Sequence, residues 1–470
     1  MAFNAIKNLA KLMGAKSAAA LLPHISKHPK ILGKFFDLVR DSALQKIREK
    51  SGPIMTPEKL EVKINSVNMV FETMKRRLPE LAPNVQRRLI HNLWYLQDTR
   101  SDEIRTKWYE EHGEWPPHLI AFSPSMKCNL RCKGCYAAEH VAENELTYDE
   151  VSDFLTQGKM EVGTQFYVVL GGEPTVWPHL ERMLREHDDV CFHMYTHGQT
   201  LKREFVEMLA DCGNCIVAVS IEGGPAETNF RRGPGSYDRI VAGMELLREM
   251  GLLYGFSATH TTRNHEVLVN EAFLKDMLDR GCAFGWVFQY IPIGRNPDLD
   301  LMPTAEQRYE RICAIEDFRR KNPLLIFDFW NDGEMTNGCM AYGRKYFHMT
   351  STGQVEPCVF VQYTRPDFNI RKTKIKDILL SDAFVSARKQ APFTGENVAP
   401  CSLIDNTEFL PEFIETFGMV PTADEGVEEI MTPKYRKELQ KRSDAYRELM
   451  REREAVDAGS VGSTAEASAE

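Results

Sequence analysis

Between residues 118 and 321 the chain alternates six short apolar runs with six amphipathic stretches, and this rhythm restricts the fold more than any other feature. The runs His118–Ser123, Gln165–Leu170, Cys191–Thr196, Cys215–Ile221, Leu253–His260 and Phe284–Ile291 have strand length and composition. Tyr148–Lys159, His179–Glu186, Leu201–Asp211, Ser236–Met250, Val267–Arg280 and Ala305–Lys321 read as helices between and after them. Six β-α units in a row imply a parallel sheet, here expected to curl into an incomplete barrel.

The flanks read differently. Residues 1–114 form a basic helical extension, with Pro57–Arg77 and Pro83–Tyr109 at helical spacing. The barrel is expected over 115–322. Residues 323–415 form a smaller, cysteine-bearing region, and 416–470 a charged helix (Pro433–Val456) followed by a Ser/Ala/Gly/Glu-rich tail, Gly459–Glu470, that reads as disordered.

Composition sets outer limits. With 43% hydrophobic and 27% charged residues in 470, a packed core is feasible. A net charge of −9 argues against a nucleic-acid binder. No apolar run reaches about 18 residues, so no membrane-spanning helix is expected, and Ala18–Leu22 is too short for a secretion signal. Eleven cysteines without an export signal favour metal or redox chemistry in a reducing cytoplasm over a disulfide framework. Residues 1–50 carry ten Lys/Arg against three Asp/Glu, a local charge of +7. Phe3, Ile6, Leu9, Leu12, Ile31, Leu32, Phe35 and Phe36 recur between them. Such a segment either lies on an anionic membrane, peripheral to its inner face, or packs its apolar side on its own protein.

Cys128, Cys132 and Cys135 fall just after the first strand, where barrel loops carry chemistry. Three thiolates within eight residues wrap one compact soft-metal centre, iron–sulfur or zinc. A zinc site wants a fourth ligand, and none lies at finger spacing. A cubane has four irons, so three cysteines leave one iron open.

The Cx3CxxC spacing followed by Tyr136 resembles the signature of the radical S-adenosylmethionine (radical SAM) enzymes. Gly171-Gly172-Glu173-Pro174 resembles the GGE motif, Thr196-His197-Gly198 the TNG turn, Ser220-Ile221-Glu222-Gly223 the S-x-D/E-G turn, and Arg231, Arg232 and Gly235 the R-x-x-G stretch. Pro292–Arg295 resembles the end of the sixth strand, so the likeness spans about 118–300. It implies a TIM-like, incomplete (β/α)6 barrel and a [4Fe–4S] cluster on Cys128, Cys132 and Cys135 that binds S-adenosylmethionine (SAM). Gly171, Gly172 and Glu173 would hold the methionine amino group, Ser220 and Glu222 the ribose, Arg231 or Arg232 a carboxylate. Tyr136 would pack over the cluster or the adenine.

A second pattern follows. Cys339, Gly353 and Cys358 match the C-x9–15-G-x4-C hairpin of SPASM and twitch extensions, and Cys401 can return from a loop. The tight CxxC-x5-C-x3-C run of a full SPASM domain is missing. The resemblance therefore implies a small α+β twitch-like domain with one auxiliary iron–sulfur cluster on Cys339, Cys358 and Cys401. Cys191, Cys212, Cys215, Cys282 and Cys313 read as packing. His193, His197 and His260 read as structural histidines, with proton transfer or SAM contact as the alternative.

The resemblance implies reductive cleavage of SAM and hydrogen abstraction by the 5′-deoxyadenosyl radical, with a ferredoxin- or flavodoxin-type electron donor as partner. No catalytic side chain stands out. The basic N-terminus points to a membrane lipid or isoprenoid substrate, with a peptide as the alternative. A non-catalytic iron–sulfur carrier would account for the cysteines but not for GGE, Ser220–Gly223 or the six β-α units.

Overall fold

The computed structural model describes residues 26–466 apart from 27, 52–56, 93–100, 138–143, 392, 394–395 and 424–425. Seven parallel strands, β1 (Leu119–Phe122), β2 (Phe166–Val169), β3 (Cys191–Thr196), β4 (Cys215–Ser220), β5 (Tyr254–His260), β6 (Phe284–Gln289) and β7 (Leu325–Asp328), stand side by side in sequence order. Sequential order with right-handed crossovers puts every connecting helix on one face, so the sheet curls into a partial barrel. The expected rhythm ended at the helix Ala305–Lys321; β7 carries it one strand further. β7 is four residues long, three of them apolar, and the sheet edge left by β6 pairs it.

At the other edge, a hairpin of β8 (His348–Met349) and β9 (Val355–Glu356) docks on β1, so the cysteine-bearing region continues the barrel sheet. The sheet thus has no break at residue 322.

The two faces of the barrel sheet are filled unequally. Helix-facing residues such as Ile120, Tyr167, Phe192, Val217, Phe256 and Val287 are sealed. Their inward-facing neighbours Phe166, Val168, Tyr195, Trp286, Phe288 and Phe327 stay half-buried. Barrels of this type normally fill their interior with side chains; this one keeps a cavity of about 410 Å³.

In the N-terminal extension, the helix Pro29–Ser51 lies against the helix Pro57–Arg77. Leu32, Phe35 and Phe36 are buried there, and Phe36 meets Phe71 edge-on at 6.0 Å. Most of the apolar side of residues 29–51 is therefore covered by the protein itself, as in the second of the two expectations for this segment, while Ile31 stays exposed. Phe3, Ile6, Leu9 and Leu12 lie outside the described residues. The expected helix Pro83–Tyr109 is helical over Pro83–Ile90 and within Asp102–His112. The C-terminal helix runs from Pro433 to Glu466, past the Gly459 start of the expected disordered tail. No proline follows Pro433, so nothing in that stretch removes a backbone donor. Among the described residues no helix is long and apolar enough to cross a membrane.

Candidate active site

The cavity opens at the C-terminal ends of β1 to β6, where the cysteine loop after β1 covers it. That loop is tied on several sides. Gly172 N donates to Ser125 O at 3.0 Å and Glu173 N to Lys127 O at 2.9 Å, lacing the loop to the end of β2. Lys133 N donates to Arg231 O, and Arg295 N to Cys135 O, both at 3.0 Å. Glu145 accepts from Ser125 Oγ and Met126 N. Ser123 bonds His348 at 2.8 Å, and His348 bonds Glu356 at 2.6 Å, so the hairpin also braces the loop.

Glycine is required where β2 meets this loop. Gly171 sits at φ +110°, and a Cβ there would lie 2.3 Å from Ser125 O. A Cβ on Gly172 would lie equally close to Lys127 O. The glycines thus let the cysteine loop pack directly on the end of β2, and both also line the cavity with Cys128, Cys132 and Cys135. Among the described residues no three His, Cys, Asp or Glu side chains close on the spacing of a single metal ion. Three thiols of one loop bordering one cavity suit an iron–sulfur cluster, which thiolates hold.

Most polar groups predicted to touch SAM already have partners. Glu173 is buried; Oε1 accepts from Thr175 Oγ1 at 2.7 Å and Thr196 Oγ1 at 2.6 Å, and Oε2 from His197 N at 2.8 Å. Glu222 is sealed beneath the rim. Its Oε1 accepts from Arg231 and Arg232, each at 2.6 Å, and its Oε2 from Thr259 N at 2.9 Å. Burial alone would raise its pKa, but the two guanidiniums hold it below the ordinary glutamate value. Glu222 is therefore placed to fix the arginines, and both arginines reach the cavity wall. Ser220 lines the cavity and meets Ser257 Oγ at 3.1 Å. Tyr136 also lines it, tilted on Phe360 with centroids 5.1 Å apart. His197 bonds Asn129 of the cysteine loop at 2.7 Å. His260 lies behind the wall, between His265 at 3.0 Å and Arg311 at 2.7 Å.

The later cysteines converge although they are far apart in sequence. Cys339, Cys358 and Cys401 line one small cavity with Tyr346, Phe360 and Trp330. Backbone amides of Phe360 and Leu403 point at Cys358 Sγ and Cys401 Sγ, at 3.5 and 3.4 Å, and the Tyr346 hydroxyl lies 2.8 Å from Cys358 Sγ. Burial pushes the Cys339 and Cys401 thiols up, and that of Cys358 to about 12. Thiolates here need a cation, and donors aimed at sulfur suit a metal-bound thiolate. Phe360 and Met340 join this cavity to the larger one. Cys191, Cys212, Cys215 and Cys282 are buried in the packing.

The cavity's aromatic wall was not among the expected site residues, and His193, expected as a structural histidine or a proton-transfer or SAM contact, lies deep in the cavity. Trp286, Phe288, Phe329, Tyr195 and His193 all face inward. The period-2 alternation of β3 and β6 was the available signal.

Comparison with known proteins agrees with this geometry. The model of the Radical SAM superfamily matches residues 122–268. The AdoMet-dependent heme synthase of Methanosarcina barkeri is 31% identical over 293 residues, spanning 56% of this chain and 82% of that protein. The AdoMet-dependent heme synthase of Oleidesulfovibrio alaskensis is 25% identical over 304 residues, 57% and 76% of the two chains. The fold is similar to that of Streptococcus suis SuiB in complex with precursor peptide SuiA, with a TM-score of 0.53 and 17% identity over 66% of this chain and 72% of that one. The matched motifs, the barrel and the relatedness together place the chain in the radical SAM superfamily, enzymes that work with a [4Fe–4S] cluster and SAM.

Proposed function

We propose that this enzyme abstracts hydrogen from an unactivated carbon of an apolar substrate, of lipid or isoprenoid type, seated in the barrel lumen. The observation that carries the reading is the half-empty interior walled by Phe166, Tyr195, Trp286, Phe288 and Phe329. A cavity of about 410 Å³ must also admit SAM, so a slender substrate enters more readily than a broad one. Cys128, Cys132 and Cys135 would hold the SAM-binding cluster, and Cys339, Cys358 and Cys401 an auxiliary one. When bound, the cofactors supply the 5′-deoxyadenosyl radical. The chain's residues orient and shield it. The Gly171–Gly172 edge receives the methionine end, Ser220 and Ser257 offer hydroxyls to the ribose, and the aromatic wall excludes water. The exposed Lys127, Arg131 and Lys133 of the cysteine loop suit an acidic electron carrier of ferredoxin or flavodoxin type. Contact with a membrane face would rest on residues 1–25.

The heme synthase relatives favour a second reading, a tetrapyrrole substrate. Its acidic side groups would need cations. The arginines lining the cavity are Arg131, Arg231, Arg232 and Arg295, all at the rim, and two of them are paired with Glu222.

The test is anaerobic. Reconstituted protein receives dithionite, SAM and either a deuterated total lipid extract or a porphyrin carboxylate, and 5′-deoxyadenosine is followed by mass spectrometry. Deuterium in 5′-deoxyadenosine from the lipid arm supports the proposal, and a response to porphyrin alone selects the second reading. Retained cleavage in a Cys128→Ala/Cys132→Ala/Cys135→Ala variant would refute the cluster assignment.

A further inference from the structure

The register places Ala121, Val168, His193 and Ile216 side by side across four strands. His193 precedes the last residue of β3, Thr196, by three positions, so it lies about 10 Å below the rim. Its imidazole lines the cavity and is 3% exposed. Aromatic rings surround it: Tyr195 edge-on at 4.8 Å, Phe284 at 5.2 Å, Phe166 stacked at 5.9 Å and Trp286 at 6.0 Å. Nε2 is sealed from solvent and has no partner among the described residues. Burial holds the ring neutral, with its pKa pushed down to about 3.

A neutral imidazole carries one N–H donor and one acceptor nitrogen. Leaving Nε2 unmatched in an apolar chamber is costly, and buried polar groups in proteins are nearly always satisfied. Among the described residues the charged ones lining the cavity are Arg131, Glu173, Arg231, Arg232 and Arg295, all toward the rim, so an ionised ligand group would find no counter-charge beside His193. The donor, the acceptor and the flat walls together define the complementary ligand: an apolar or aromatic group bearing one uncharged hydroxyl or carbonyl.

We propose that the lumen floor at His193 is a binding subsite for a neutral hydroxyl- or carbonyl-bearing end of the substrate, seated beneath the SAM edge. The subsite rests on the reading that the substrate enters the barrel, but its occupancy is measurable without turnover. His193 is a positioning residue: it fixes how deep the apolar chain sits, and hence which carbon faces the rim.

Small probes test this on the full-length reconstituted protein. Phenol, toluene and benzoate are titrated while the fluorescence of Trp286, a wall residue, is followed against a Trp286→Phe control. Phenol is expected to bind roughly twofold to tenfold more tightly than toluene, the range one net hydrogen bond supplies, and benzoate more weakly than either. His193→Phe should abolish the phenol preference while keeping toluene binding, and His193→Gln should retain part of it. In wild-type protein labelled with ¹⁵N-histidine, phenol should move one imidazole resonance that toluene leaves in place, a readout that survives if a variant fails to fold. Equal affinity for phenol and toluene, an undiminished preference in folded His193→Phe, or no Trp286-dependent signal with any probe would overturn the subsite. Failure of lipid to support turnover would overturn the proposed substrate class without touching this result.

Discussion

His193→Phe should make the protein less sensitive to mild acid, and the size of the effect follows from the buried ring. The ordinary imidazole value is 6.5, and burial among aromatic rings pushes His193 down to about 3. A histidine whose folded pKa is depressed takes up its proton in the unfolded chain first. Nothing is lost above 6.5, and stability then falls as the pH drops from 6.5 toward 3. At pH 5.0 the unfolded form is favoured by about 2 kcal/mol relative to pH 7.5, because one pKa unit corresponds to about 1.4 kcal/mol. His118, pushed down to about 4 chiefly by burial, adds a similar loss that the substitution leaves alone. The measurement is urea unfolding of wild type and His193→Phe at both pH values, followed by fluorescence and circular dichroism. The difference between the two pH-induced losses isolates residue 193, since effects shared by both proteins cancel. Phenylalanine is slightly larger than histidine and apolar, so the substitution opens no new void among the aromatic rings. A variant that loses as much stability as wild type, within about 0.5 kcal/mol, would refute the account of a neutral, unpartnered imidazole.

Three further outcomes follow from the site. Cys339→Ala/Cys358→Ala should lower bound iron by about half, the share of one cubane in two, while some SAM cleavage persists; unchanged iron would remove the auxiliary cluster. Tyr346→Phe removes the hydroxyl 2.8 Å from Cys358 Sγ, so the auxiliary cluster should become harder to reduce, read by an EPR-monitored redox titration; an unchanged potential would show that this contact does not reach the cluster. Glu222→Gln leaves Arg231 and Arg232 without their shared carboxylate and should destabilise the barrel by about 3 to 5 kcal/mol at neutral pH. Because the Glu222 pKa is depressed, wild type keeps this stabilisation above the unfolded carboxylate value and loses it as the pH falls through the folded one. Equal unfolding midpoints for the two proteins at pH 7 would contradict it.

Local sequence carried much of this. The alternation of apolar runs and amphipathic stretches was enough for a parallel, curled sheet, because helical return connections leave little other choice. The spacing of Cys128, Cys132 and Cys135 marked the loop that lines the cavity after β1, and Gly171–Gly172 marked a backbone edge that no side chain tolerates. The hairpin carrying Cys358 was visible from its turn. Three outcomes depended on partners distant in the chain. β7 exists because β6 leaves an open edge, which its own four residues cannot announce. The helix Pro29–Ser51 has the pattern of a membrane-surface helix, and only the helix Pro57–Arg77 decides that its apolar side is covered. The pairing of Glu222 with Arg231, Arg232 and Thr259 joins β4, the helix after it and β5, and no local pattern announces it. His193 shows the division most clearly. Its place on an alternating strand was legible, but whether an inward histidine is satisfied, buried or left open depends on sheet curvature and on what six other strands place opposite it. Periodicity assigns a residue to a face, whereas hydrogen bonding, charge and empty volume are properties of the assembled interior.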